Sequence, residues 1–436
     1  MKKTIISDMQ TFILENKFLF ISVIPEAGSK IFNFIFKPSG NNCAWHSPIT
    51  PLKCPIYGSS FIPYDSGGFD EMLPTVEECT WRGIHLHDHG EVWMMPWKVL
   101  EKKSNEKEVS LKTSCRLKTS PFSIERKVTL KELESRVRLD YKITNVCKEE
   151  WEFIWAFHGS VSPGGFVGKG TKIFLPEETR LNVWDSKEER LGKMGDWIEW
   201  PLTKDKDEKE VDLSLMEDAD LGFADDIFTD KLKEGWVAAG NIENEEYIAF
   251  TFPVNEIPYV GLWIDQGGWR GYTQLGMEPT NTAGTSLDIA VTDYLHKYDK
   301  LGGGESKEFT LYISVIKGLK DIKKVTREGS YIEIPLVYEK GKLKGKFGVP
   351  LLGKLVLKEK IKDNEILRIN CVPYEPVELD AQIKNPGIYK VELFSLLPHG
   401  IEEYIESLSI PRGELFMISK GNHKSMPAQV LMRVYE

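Results

Sequence analysis

The chain has 436 residues and a formal net charge of −10, a balance that argues against holding nucleic acid by bulk charge, because such binding needs clustered lysine and arginine. Hydrophobic content of 41% beside 28% charged residues fits a chain that buries a core and leaves little room for extensive disorder. The length exceeds what one core usually fills, so a large domain followed by a smaller one is expected.

Lys2 and Lys3 open the chain as a targeting segment would, but Ser7, Asp8 and Gln10 interrupt the apolar core such a segment needs, so none is expected. The apolar run Phe18 to Pro25 is far shorter than the roughly 20 residues that cross a bilayer and is expected to form a buried strand, with no membrane partner. Six cysteines (Cys43, Cys54, Cys79, Cys115, Cys147, Cys371) lie apart with no C-x-x-C pair, which points to reduced thiols and a cytoplasmic location.

Strand signals dominate the middle of the chain. Val109, Leu111, Thr113, Cys115 and Leu117 recur at every second position, as do Phe122, Ile124, Arg126, Val128 and Leu130, then Val137, Leu139, Tyr141 and Ile143. That period of two, broken by charged turns, predicts three strands of an antiparallel meander. Gly164 to Thr171 has the look of a phosphate loop, yet Pro163 stands where the opening glycine belongs and Gly170 where Ser or Thr should follow, so it reads as a turn. Ser214 to Leu232 is expected to hold a short helix or two. The class is all-β, a sandwich or barrel.

The strand Phe309 to Ile316 gives way to a charged run through Ser330, which places a boundary there: a domain over 1–318 and a β-rich accessory domain over 331–436. All 12 tryptophans lie between Trp45 and Trp269, so the second module is expected to pack rather than to bind sugar. Lys340, Lys342, Lys344 and Lys346 alternate as on a solvated edge strand guarded against pairing.

Certain segments carry a family likeness. Ile24 to Ile31, Gly67-Gly68-Phe69-Asp70-Glu71-Met72-Leu73-Pro74-Thr75, Asp88-His89-Gly90-Glu91-Val92-Trp93, Phe153 to His158, Gly261 to Trp269 and Leu275-Gly276-Met277-Glu278-Pro279 resemble, in order, the motifs of the aldose 1-epimerase (galactose mutarotase-like) family. The likeness spans about residues 15 to 316. It implies a large antiparallel β-supersandwich, followed here by the smaller C-terminal β domain, and interconversion of the α and β anomers of a free sugar without a cofactor.

Carried over position by position, the resemblance makes Glu278 the general base on the anomeric hydroxyl, His158 the general acid on the ring oxygen, and His89 a group holding the ring or that same oxygen. Ring opening takes a proton from O1 and delivers one to O5, and closure on the other carbonyl face reverses both, so two proton-transfer groups suffice. Trp81, Trp93, Trp263 and Trp269 flank the motifs as aromatic platforms, and Asp70, Arg82, Asp265 and Gln274 are polar candidates for hydroxyl contacts. A sugar-phosphate branch of the family places an arginine shortly after its His-Gly pair, whereas this chain has Glu91-Val92-Trp93, so an unphosphorylated sugar is expected.

Three alternatives stay open at this level. His85, His87 and His89 would share one face of a straight strand, as a metal site requires, although Gly83 and Gly90 favour a bent loop and no metal is expected. A non-catalytic carbohydrate-binding protein would keep the same pocket. Hydrolysis of a glycoside would need a second carboxylate, Asp70 or Asp265, set about 5 to 9.5 Å from Glu278. His46, His296 and His399 have no neighbours in sequence that suggest a function. The sequence leaves the oligomeric state open.

Overall fold

The computed structural model describes residues 1–292, 297–339, 341–359, 363–383, 388–396, 402–408 and 416–417. His296 and His399 lie outside the described residues. Two large antiparallel sheets face one another. The larger has twelve strands and runs from Lys2–Ile6 at one edge, through Lys30–Phe36, Phe69–Met72, Ala156–Val161, Thr273–Thr280, Tyr259–Gln266 and Phe223–Thr229, to Trp197–Glu199 at the other. The smaller has eight strands, with Ser306–Lys317 between Glu246–Thr251 and Arg136–Asn145. The fold is a galactose mutarotase-like β-sandwich.

The meander forms as the alternation dictates. Glu108–Arg116, Phe122–Lys131 and Arg136–Asn145 pair in sequence, and Phe122–Lys131 alternates buried and half-buried residues along its whole length. Its inward residues Phe122, Ile124, Val128 and Leu130 are fully buried against the facing sheet. At the centre, Phe69, Phe157 and Phe250 meet in edge-to-face and tilted contacts at 5.2–5.7 Å. Phe250 occupies the space over Gly159, where an added Cβ would lie 2.4 Å from the ring.

Two readings are corrected. Ser214 to Leu232 forms no α-helix; it holds a single 3-10 turn, Ala219–Leu221, and then the strand Phe223–Thr229, which pairs residue by residue with Tyr259–Gln266. The lysine-rich segment is no edge strand. Lys342–Gly348 lies inside a four-stranded sheet, paired on one side with Tyr331–Glu339 and on the other with Val377–Gln382, and Lys342 and Lys346 are neutralised by Asp380 and Glu333. Lys340 lies outside the described residues. Glycines 164, 165, 168 and 170 make the predicted turn, all with positive φ.

The C-terminal strands form this four-stranded sheet and a five-stranded one around a separate apolar core that includes Leu343, Phe347, Leu355 and Leu393. A third cluster joins Leu319, Ile322, Val325 and Tyr331 to Phe174, Trp236 and Tyr247 of the eight-stranded sheet. Tyr331 is fully buried and donates its hydroxyl to the Ser314 carbonyl at 2.7 Å.

Candidate active site

Residues directly opposite on antiparallel strands project from the same face. Asp70 faces His158, Glu278 faces Gly261, and Gly261 faces Phe228. The ladder between Ala156 and Thr280 and between Gly159 and Met277 brings His158 beside Glu278. One transverse row therefore crosses the centre of the large sheet, with Lys30 closing its end through an ion pair to Asp70 at 2.5 Å. Asp70, His158 and Glu278, far apart in sequence, thus share one row of a single sheet.

His158 Nε2 lies 3.7 Å from Glu278 Oε1. That is past hydrogen-bond length, so neither group satisfies the other and both remain available to a third. Gly276, two residues before Glu278, makes room for the carboxylate, since a Cβ there would approach Glu278 Oε1 to 3.0 Å.

His89 reaches the site from a loop. The strand Ile84–Leu86 ends before it, and His89 takes a left-handed conformation with φ of 59°. Its ring stacks on Phe61 at 3.8 Å, meets His158 edge-on at 5.3 Å, and shares a hydrogen bond between Nδ1 and Asp88 Oδ1 at 2.8 Å. Next to it, Glu91 is wholly buried and accepts hydrogen bonds from the Tyr57 hydroxyl, the amides of Lys118, Thr119 and Ser120, and the Ser120 hydroxyl. Glu91 thus braces the loop. The bend also separates the histidine trio: His85 and His87 lie 4.9 Å apart on the hairpin, while His89 turns toward His158.

Burial sets the protonation states. Desolvation lifts the Glu278 carboxyl to about 7, with the positive charge of His89 opposing the rise and Asp65 adding to it. Burial, with His89 and Lys30 as neighbouring positive charges, holds the His158 imidazole well below its ordinary value. For His89 burial pulls downward, but the hydrogen bond and charge of Asp88, then Glu278 and Asp65, together raise it above its ordinary value. At neutral pH the site therefore pairs a neutral His158 with a His89 that holds its proton more firmly and a carboxylate poised between its two forms.

The site opens into a cavity of about 670 Å³, with His89, His158 and Glu278 in its lining. Trp263 and Gln274 also line it, and Gln274 donates to Asp65 and to the Ser160 hydroxyl. The other expected contacts stand elsewhere. Asp70 does not line the cavity and is held by Lys30 and buried. Arg82 sits on an exposed hairpin turn and pairs with Glu152, which also accepts the Trp81 indole N–H. Asp265 is buried behind the wall, where it accepts the backbone N–H of Trp269. Trp93 is buried and donates to the Asp88 carbonyl. His46 stacks on Phe32 at 4.0 Å and bonds its carbonyl.

Sequence reasoning missed Asp65, Asp226, Phe61 and Trp184, all in the lining. Asp226 alternates with Ala224 and Phe228 on the strand that was read as helix, and a period of two would have put it on the site face. Burial, with Glu278, Asp185 and Glu77 adding to it, holds its carboxyl well above the usual range.

No family model matches the chain, and no curated protein matches it in sequence. Solved structures do resemble it in fold. A Klebsiella pneumoniae protein provisionally named an aldose 1-epimerase is 14% identical over 71% of this chain and 79% of its own, with a TM-score of 0.52. A galactose mutarotase-like protein from Clostridium acetobutylicum is 11% identical over 73% of this chain and 98% of its own, with a TM-score of 0.51. A galactose mutarotase related enzyme from Lactobacillus acidophilus is 14% identical over 72% of this chain and 100% of its own, with a TM-score of 0.50. At these identities the likeness is one of fold.

Proposed function

We propose that the protein is an aldose 1-epimerase-like isomerase that interconverts the α and β anomers of an unphosphorylated sugar. The observation that carries this reading is the buried His158 Nε2 to Glu278 Oε1 separation of 3.7 Å at the cavity lining, with the Glu278 carboxyl lifted to about 7. A base poised near the working pH is what proton abstraction from an anomeric hydroxyl requires.

In this reading Glu278 takes the O1 proton as the C1–O5 bond breaks, and His89, rather than the neutral His158, delivers a proton to O5 while His158 donates a hydrogen bond to the ring, leaving the open-chain aldehyde. Rotation about C1–C2 presents the other carbonyl face. O5 then attacks C1 and returns its proton to His89, while the carbonyl oxygen recovers one from Glu278. His89, charged beside Asp88, stabilises negative charge developing on the sugar oxygens. Both transfers use side chains alone, so no cofactor enters. Glu91-Val92-Trp93, standing where a sugar-phosphate branch of the family places an arginine, favours an unphosphorylated sugar.

Polarimetry or NMR exchange on freshly dissolved α-anomers, comparing the natural chain with Glu278→Gln, tests this. Loss of at least about a hundredfold in exchange rate is expected. An unchanged rate in the variant would defeat the assignment. Saturable sugar binding without acceleration by the natural chain would assign the binding-only function instead.

A further inference from the structure

We infer that the natural substrate is a reducing oligosaccharide, its reducing-end ring at His158 and Glu278 and its next sugar on a platform formed by Trp269 and Trp263. This rests on the isomerase reading and names the substrate class of that site.

The cavity of about 670 Å³ is large for one sugar ring, since a pyranose fills on the order of 200 Å³ at interior packing density. The excess lies toward the mouth, where Trp269 is 53% exposed and Met194 is 54% exposed, both in the lining. Trp263 and Trp269 meet at 6.3 Å with their planes 86° apart, so together they form a corner with two aromatic faces. Sugars stack their apolar C–H faces on such surfaces and keep their hydroxyl rims wet.

The exposure of Trp269 is built in. Its backbone N–H is held by the buried Asp265 at 3.1 Å, the Gly268 amide donates to the Phe223 carbonyl at 3.1 Å, and Lys187 donates to the Gly268 carbonyl at 3.0 Å. Gly267 has φ of +87°, and a Cβ there would lie 1.7 Å from the Ala219 carbonyl oxygen, so the turn is fixed by close packing against that segment. A large apolar side chain held out in solvent by a braced loop costs solvation unless something covers it. Its position beside the reaction cavity makes a substrate the cover.

Lys187 and Arg270 in the lining are held by neutral acceptors, the Gly268 carbonyl and the Thr50 hydroxyl, and keep their positive charge beside Asp185 and Glu77, so the lining carries both signs and leaves its stacking surface as the selective feature.

The test compares anomer exchange of maltose, cellobiose and lactose with that of glucose and galactose, in the natural chain and in Trp269→Ala. At least one disaccharide should show kcat/KM about tenfold above the monosaccharides, equivalent to about 1.4 kcal/mol, and Trp269→Ala should lower that disaccharide's value far more than glucose's. Equal kcat/KM for both classes, or an equal fall for both in the variant, would overturn the inference while leaving the isomerase reading standing. If no sugar is turned over, the isomerase reading fails and tryptophan-fluorescence titration decides the platform. Disaccharides that bind tighter than glucose, with the preference lost in Trp269→Ala, would uphold it, and no such preference would reject it.

Discussion

His89 and Glu278 are coupled through charge, and the coupling has a readable sign. The base must be ionised to accept the O1 proton, so kcat/KM should fall as pH drops through about 7, where burial has placed the Glu278 carboxyl. The positive charge of His89 opposes that rise. Replacing it by asparagine removes the charge, so the acidic limb of the His89→Asn profile should move to higher pH, and a limb that stays in place would show that the two groups do not interact. The same substitution removes a charge that depresses His158, so that imidazole should titrate at higher pH in the variant, which NMR of the ring protons would report. Of this arrangement, the three principal residues were legible in the sequence because each sits inside a motif of several residues. Asp88 as the partner of His89 was not, since nothing in a sequence distinguishes a loop carboxylate that turns inward from one that turns to water. Arg82 failed for the converse reason: its polar neighbourhood in sequence is an exposed hairpin turn in space.

The strand Phe69–Met72 links the site to the opposite sheet, because its alternate residues point both ways. Asp70 projects with His158, while Glu71 projects inward to the Arg126 guanidinium at 2.8 Å and the Tyr141 hydroxyl at 2.7 Å, with Arg126 and Glu71 both wholly buried. Arg126 also donates to the Ser29 hydroxyl, so it ties its own strand and Phe69–Met72 to the turn that precedes Lys30–Phe36. Burial lifts the Glu71 carboxyl, with Arg126 and Tyr141 opposing the lift. Arg126→Met would leave that carboxyl unpaired, at a cost of about 3 to 5 kcal/mol, visible as a lower midpoint in urea unfolding. The sign with pH follows: an acid whose folded pKa is raised stabilises the fold below its unfolded value and loses that contribution as pH rises through the folded value. The variant should therefore be less destabilised at pH 5 than at pH 8, and equal losses at both would show that Glu71 is not the group left exposed. Alternation made the strand containing Arg126 legible, yet it also marked Arg126 as an inward residue with no hint of its partner 55 positions away. The strand Phe223–Thr229 was hidden by its acidic doublet, which reads as solvent-facing until Asp225 is seen buried against Arg190 and Asp226 in the cavity wall.

Across the whole molecule, the C-terminal strands cover a face of the sandwich that would otherwise be apolar and wet. Phe174, Trp236 and Tyr247 project outward from the eight-stranded sheet and are buried by Leu319, Ile322, Val325 and Tyr331. Polar ties accompany the contact: Tyr247 donates to the Leu319 carbonyl, Ser135 to Pro350, Leu352 to Leu133, and Arg136 to Glu328. The division into 1–318 and 331–436 was drawn from the charged run between them, and that run is itself seated, with Lys324–Val325 paired to the strand that begins at Tyr331. A seam of this kind couples the two parts energetically, because neither can unfold without exposing the other's apolar face. Truncating Tyr331 to alanine removes a wholly buried ring and its hydrogen bond to Ser314, which should cost about 3 to 5 kcal/mol. If the parts are coupled, calorimetry should show one transition in the natural chain and a single, lower one in Tyr331→Ala, with anomer exchange at low temperature unchanged because Tyr331 lies on the far side of the eight-stranded sheet from the cavity. Two transitions in the natural chain, of which the substitution moves only one, would mean that the C-terminal part folds and melts by itself and contributes nothing to the sheet that carries His158 and Glu278.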